Sequence, residues 1–129
     1  LLDDRKCEFP RLDERFAGLQ YRFGYMACDS RPKEKGGLFN AIARVDHLTG
    51  KTTMYELPLG CATNEPIFVP RSSDSKEGEG VLLANVFDAN RNSSHLLVLD
   101  AENVDSEPLA TAYLDHRVPF GFHGNWMPI

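Results

Sequence analysis

The chain has 129 residues, 42% of them hydrophobic and 26% charged, with a formal net charge of -5. That size and apolar content fit a folded domain with a buried core, not a disordered tail. The acidic balance argues against a phosphate backbone as main partner, since nucleic-acid affinity rests on Lys and Arg, and no run approaches the ~18 apolar residues of a membrane-spanning helix.

The chain opens at Leu1 without Met and without a basic-then-apolar leader, and closes on Trp126-Met127-Pro128-Ile129. These ends predict a processed chain or a piece of a longer protein, the second being favoured. Residues 21–27 are rich in aromatics and read as the first strand. The charged, Gly-containing stretch 31–37 reads as a solvated loop. Residues 39–46 and 52–57 read as a hairpin around Asp46-His47-Leu48-Thr49-Gly50-Lys51, a short turn with a Gly near its end. Residues 71–80, charged and Ser/Gly-rich, predict a second exposed loop. Residues 81–88 form a nearly continuous apolar run, the pattern of a strand buried on both faces. A polar turn at 89–94 leads into a partner strand at 95–100, and 110–114 alternates once more. No window shows a helical period. The prediction is all-β, with a sandwich and a propeller both open. At about 40 to 50 residues per blade, a propeller reading gives about three blades, too few to close a ring.

Cys7, Cys28 and Cys61 are odd in number and lack C-x-x-C spacing. They read as reduced, partly buried thiols of a reducing compartment, which points to the cytoplasm. Of the four histidines, His47, His95 and His116 read as exposed residues of turns or strand ends. His123 differs, because glycines and aromatics surround it in Phe120-Gly121-Phe122-His123-Gly124-Asn125-Trp126. An imidazole in such a site is stable when neutral and hydrogen-bonded, or when it binds a metal, and both readings stay open. Glu8 and Glu65 stand in similar contexts, before Phe9-Pro10 and Pro66 respectively. Each reads either as a strand-end charge or as a partly buried acceptor for the N–H of a metal-bound His.

Three segments then stand in order: Cys7-Glu8-Phe9-Pro10-Arg11, Glu65-Pro66-Ile67-Phe68-Val69-Pro70-Arg71, and Arg117-Val118-Pro119-Phe120-Gly121-Phe122-His123-Gly124, with Leu97-Val98-Leu99-Asp100-Ala101 between the last two. Together they resemble the C-terminal part of the carotenoid cleavage oxygenase family, which includes lignostilbene and apocarotenoid dioxygenases. The resemblance implies part of a seven-bladed β-propeller, with residues 1–129 belonging to one domain. It implies a non-haem Fe(II) held by four His and, around them, three Glu. By that pattern His123 is the last iron ligand and Glu65 orients it. Glu8 would orient a His that this chain lacks, and the other three iron His and the remaining Glu fall outside it. Phe120 stands where the family commonly has Tyr. Phe120, Phe122 and Trp126 are candidates for an apolar substrate tunnel, with plain core packing the alternative for Trp126. The implied reaction joins dioxygen to a polyene or stilbene double bond and yields two carbonyl products. A membrane surface is compatible with such a substrate but carries no signature here. The competing reading is a β-rich binding module without catalysis, and the family's isomerase chemistry stays open beside the dioxygenase reading.

Overall fold

The structure is a computed structural model that describes residues 5–30 and 38–127. Apart from one 3-10 turn, Glu14–Phe16, its regular elements are strands: β1 (Cys7–Leu12), β2 (Phe23–Cys28), β3 (Ala41–Asp46), β4 (Lys51–Glu56), β5 (Cys61–Thr63), β6 (Ile67–Pro70), β7 (Gly80–Asp88), β8 (Ser93–Asp100) and β9 (Ala110–Tyr113). They form two antiparallel sheets, one ordered β1-β2-β3-β4 and the other β5-β7-β8-β9, with β6 also paired to β7. The strand arithmetic predicted about three blades; the described residues make two. Connections between strands and a strandless segment over residues 114–127 absorb the remaining length.

The hairpins follow their turn chemistry. Between β3 and β4, the Asp46 carboxylate accepts the N–H groups of Leu48 (3.0 Å) and Thr49 (3.4 Å), and Gly50 takes a φ of 71° that a side chain would resist. Asp46 also pairs with Arg22 through two bonds of 2.9 and 2.7 Å. The guanidinium and the turn N–H groups hold this carboxyl well below the usual carboxylate range. Its folded pKa is depressed, so its stabilising contribution is present above the unfolded value and is lost as pH falls through the folded one. The urea midpoint is therefore expected to fall on acidification below about pH 4. Asp46→Asn should flatten that part of the profile while lowering the midpoint at neutral pH.

The core lies between the sheets. Tyr25 and Ile42 face Phe68, Leu82, Ala84, Val86, Leu97 and Leu99, all buried. The Tyr25 and Phe68 rings stack at 5.5 Å between centroids with 9° between planes. On β7, Gly80, Leu82, Ala84 and Val86 are buried, whereas Val81, Leu83 and Asn85 are only half-buried. The run predicted to be buried on both faces thus buries one; Leu83 and Asn85 of its other face line the floor of a cleft described below. Gly80 is needed where it stands, because a Cβ there would lie 2.2 Å from the Val69 carbonyl oxygen.

Of the loop predicted over 71–80, residues 71–74 and 76 are exposed as expected, whereas Gly78 is buried and Gly80 already belongs to β7, and the loop is tethered. The Arg15 guanidinium, paired with buried Asp13, donates to the carbonyls of Ser72, Ser73 and Ser75 at 3.0–3.1 Å. Glu77 accepts the N–H groups of Arg22 and Phe23. The predicted loop at 31–37 lies outside the described residues.

Candidate functional site

Two strand irregularities build the site. Thr63 pairs with Val86 and Ile67 with Leu83, so four steps along β5 and β6 face three along β7. The extra residue falls within Asn64-Glu65-Pro66. Pro66 has no N–H to leave unpaired, so the ladder breaks cheaply there and releases Glu65 from strict alternation. On β1, Glu8 pairs with Ala27 and Arg11 with Tyr25, three steps against two. The bulge takes up Phe9-Pro10, and Phe9 adopts a φ of 57°. Gly usually fills that position; a bulky side chain there costs about 1–3 kcal/mol. The Phe9 ring is set edge-on to Phe39 (5.9 Å, 83°) and to the His123 imidazole (6.0 Å, 89°).

Glu65 is 6% exposed and faces three donors. Its Oε2 accepts the Gly124 N–H at 2.8 Å; its Oε1 lies 3.2 Å from His123 Nδ1 and 3.4 Å from Arg11 Nη1. A carboxylate in this place only accepts, so in a neutral ring the geometry puts the proton on Nδ1 and leaves the Nε2 lone pair to bind. Among the described residues no hydrogen bond occupies Nε2, and the His123 side chain is 76% exposed. An imidazole locked in this tautomer by a buried carboxylate has the form of a metal ligand with its outer partner in place. No group of three or more His, Cys, Asp and Glu that could hold a metal ion converges among the described residues.

Beside it lies an open cleft of about 520 Å³. Ile67, Leu83, Asn85 and Leu96 form its floor, and the segment over 118–126 forms the other side. Phe122, His123 and Trp126 line it together. Phe120 does not; its ring packs edge-on to Phe87 at 6.0 Å. Glu8 is exposed on β1, and no hydrogen bond from its side chain is seen among the described residues.

Two histidines depart from expectation. His95 is buried on β8 against Tyr113, and burial pushes its imidazole below the ordinary range. His47 is half-buried, edge-on to Tyr21 at 5.2 Å. His116 is exposed as expected and contacts Asp115 at 2.6 Å. Burial, with Asp88 nearby, pushes the Cys61 thiol up, away from the thiolate that a nucleophile needs. Among the described residues nothing lies within 4 Å of a Cβ built on Gly121 or Gly124. The residues missed by sequence reasoning are Arg11, Glu14 and Asn125. Arg11 also reaches the Gly124 carbonyl (3.3 Å) and Asn125 Oδ1 (3.0 Å), and Asn125 donates to Glu14 (3.3 Å). Apart from the Arg11–Glu14 pair, three residues apart, no local pattern marks them, because their other partners lie far away in sequence.

Comparison with known proteins matches residues 1–128 to the family described as retinal pigment epithelial membrane protein. The chain is 39% identical over 127 residues to lignostilbene-alpha,beta-dioxygenase isozyme III of Sphingomonas paucimobilis, covering 92% of this chain and 26% of that protein. It is 34% identical to the apocarotenoid-15,15'-oxygenase of Synechocystis sp., covering 98% of this chain and 26% of the relative. The crystal structure of a cobalt-substituted Synechocystis ACO superimposes with a TM-score of 0.92 at 32% identity, over 99% of this chain and 26% of the other. The chain thus spans about a quarter of the length of these relatives, and its two sheets are part of a β-propeller.

Proposed function

The chain belongs to the retinal pigment epithelial membrane protein family, that of the carotenoid cleavage oxygenases, and from this premise we propose that it is the C-terminal portion of a single-domain non-haem iron(II) dioxygenase. Its substrate class is an apolar conjugated alkene: a carotenoid, an apocarotenoid or a stilbene. The observation that carries this reading is the Glu65–His123 pair, 3.2 Å apart with the carboxylate buried. The relatives named for lignostilbene and apocarotenoid oxygenation, and a solved relative in cobalt-substituted form, support it. The apolar half-buried face of β7 supports a partial chain, since such a face is covered by a further layer in a complete domain.

His123 would hold the iron through Nε2, and residues beyond this chain would complete the site. Imidazole suits iron, and the bound metal supplies open positions at which dioxygen can be activated. Glu65 keeps the proton on Nδ1 and fixes the ring plane. Phe122 and Trp126, and more remotely Phe120, would present apolar surface to the substrate and exclude water. Glu8 would serve a His from another part of the protein in the way Glu65 serves His123. In the balanced reaction one alkene and one dioxygen give two carbonyl compounds.

The test is product analysis and oxygen uptake on the complete iron-loaded protein, with a stilbene and an apocarotenoid. Two carbonyl products with stoichiometric oxygen consumption support the proposal. Binding without products would favour the non-catalytic module, and isomerised product without oxygen uptake would favour isomerase chemistry. Glu65→Gln is a sharper probe of the pair. In either amide orientation, the NH₂ group faces the Gly124 N–H or the donors on the Oε1 side, so one hydrogen bond is always lost. Iron affinity or turnover should fall by about 10 to 100-fold.

A further inference from the structure

The segment carrying His123 has little of its own to hold it. It has no regular secondary structure, its residues from 119 to 127 are exposed, and two of them are glycines at which a Cβ would meet nothing within 4 Å. From its own sheet it is held chiefly by Glu65, which takes the Gly124 N–H and faces the ring. From the other sheet comes Arg11. Its guanidinium is half-buried, at 17% side-chain exposure. Nη1 points to Glu65 Oε1 (3.4 Å) and the Gly124 carbonyl (3.3 Å); Nη2 donates to Asn125 Oδ1 (3.0 Å) and to Glu14. The peptide groups on either side of Gly124 are therefore clamped by different partners, the N–H by Glu65 and the carbonyl by Arg11.

The bulge on β1 makes this reach available. Ala27 and Tyr25 are two residues apart on β2, so their partners Glu8 and Arg11 share a face, although in a regular strand residues three apart would oppose each other. Without the extra residue at Phe9-Pro10, Arg11 would sit on the other face of the sheet. The left-handed Phe9 thus sets the edge of a ring against His123 and aims the next arginine at the residue following it.

We propose that Arg11 is a positioning residue of the metal site, a guanidinium fork from the neighbouring blade that sets the direction of His123 Nε2 by clamping Glu65 and the Gly124-Asn125 peptide. This inference rests on the reading of His123 as a metal ligand. A planar fork with several fixed donors is required, because a lysine ammonium is a single point that cannot serve acceptors spread over four residues.

The test uses the complete protein loaded with cobalt(II), whose d–d absorption reports coordination geometry without any turnover. Arg11→Met and Arg11→Lys are compared with the unaltered protein for band position, for the rate of metal loss to a chelator, and for thermal midpoint. The expected result is shifted bands in both variants and metal loss faster by about tenfold, the scale seen for partners outside the ligand set, with Arg11→Lys failing to restore the spectrum. Should Arg11→Met not fold, Arg11→Lys, which keeps the charge and the aliphatic stem, decides alone. Unchanged bands and an unchanged loss rate in the folded variants would overturn the inference. His123→Ala separates the two levels: if it abolishes the bands while Arg11 variants leave them intact, only the role of Arg11 falls. If His123→Ala itself leaves the bands unchanged, the metal reading falls with it.

Discussion

His123→Ala in the complete protein is expected to strip the site of its iron and to bring alkene cleavage below detection. The side chain offers Nε2 outward while a buried carboxylate holds Nδ1 at 3.2 Å. Removing the ring therefore deletes a donor that has been oriented in advance, and it leaves Glu65 without its ring partner. The loss should exceed the 10 to 100-fold typical of a change in the outer partner alone. Iron per chain by elemental analysis and oxygen uptake on a stilbene are the two measurements. His116→Ala is the matched control. That imidazole also contacts a carboxylate, Asp115 at 2.6 Å, but both side chains are exposed, and neither quantity should change. Full iron occupancy and normal turnover in the His123 variant would remove the basis for the assignment.

Phe68→Ala is expected to cost about 3–5 kcal/mol of stability, the range for truncating a large buried aromatic. Phe68 is 6% exposed and lies on β6, the short strand that follows the Glu65 bulge. Its ring stacks on Tyr25 of β2, so it joins the two sheets as well as filling space. Removing it opens a cavity at the seam between blades and loosens the strand that carries Glu65 into place. Urea unfolding gives the magnitude directly. Phe122→Ala, at a position 79% exposed, should stay within about 0.5 kcal/mol. A Phe68 variant as stable as the parent would mean that the sheets do not depend on one another. The site would then have to be positioned by its own sheet alone, and the case for Arg11 would weaken with it.

Both expectations depend on pairs of residues that differ in how far the sequence reveals them. The long strands were legible: β7 and β8 carry dense apolar runs, and the β3–β4 turn shows an Asp and a Gly where the backbone needs them. Strands β1, β5 and β6 are not legible from pattern. Pro10 stands inside β1 and Pro70 ends β6, and Pro66 separates β5 from β6, which hides a strand from any rule that expects a full ladder. Those strands are the ones that carry the bulges and the site. His95 was misread as exposed because it follows a polar turn, whereas its register opposite Val86 turns it inward.

By itself the sequence determined the all-β class, the principal hairpins, and, through three motifs standing in order, the family; that Glu65 faces His123 was only what the family resemblance implied until the structure placed them 3.2 Å apart. Those properties reside in local periodicity and in short segments whose residue types already constrain the chemistry. Only the tertiary structure decided that the strands form two blades, that Phe122 and Trp126 share a cleft with His123 while Phe120 does not, and that Arg11 reaches the site from the other sheet. The reason is geometric. Arg11 and Glu65 are 54 positions apart, and Arg11 and Gly124 are 113 apart. Contacts at such separations depend on strand register and on a one-residue bulge, and a shift of one residue moves a side chain to the opposite face of the sheet.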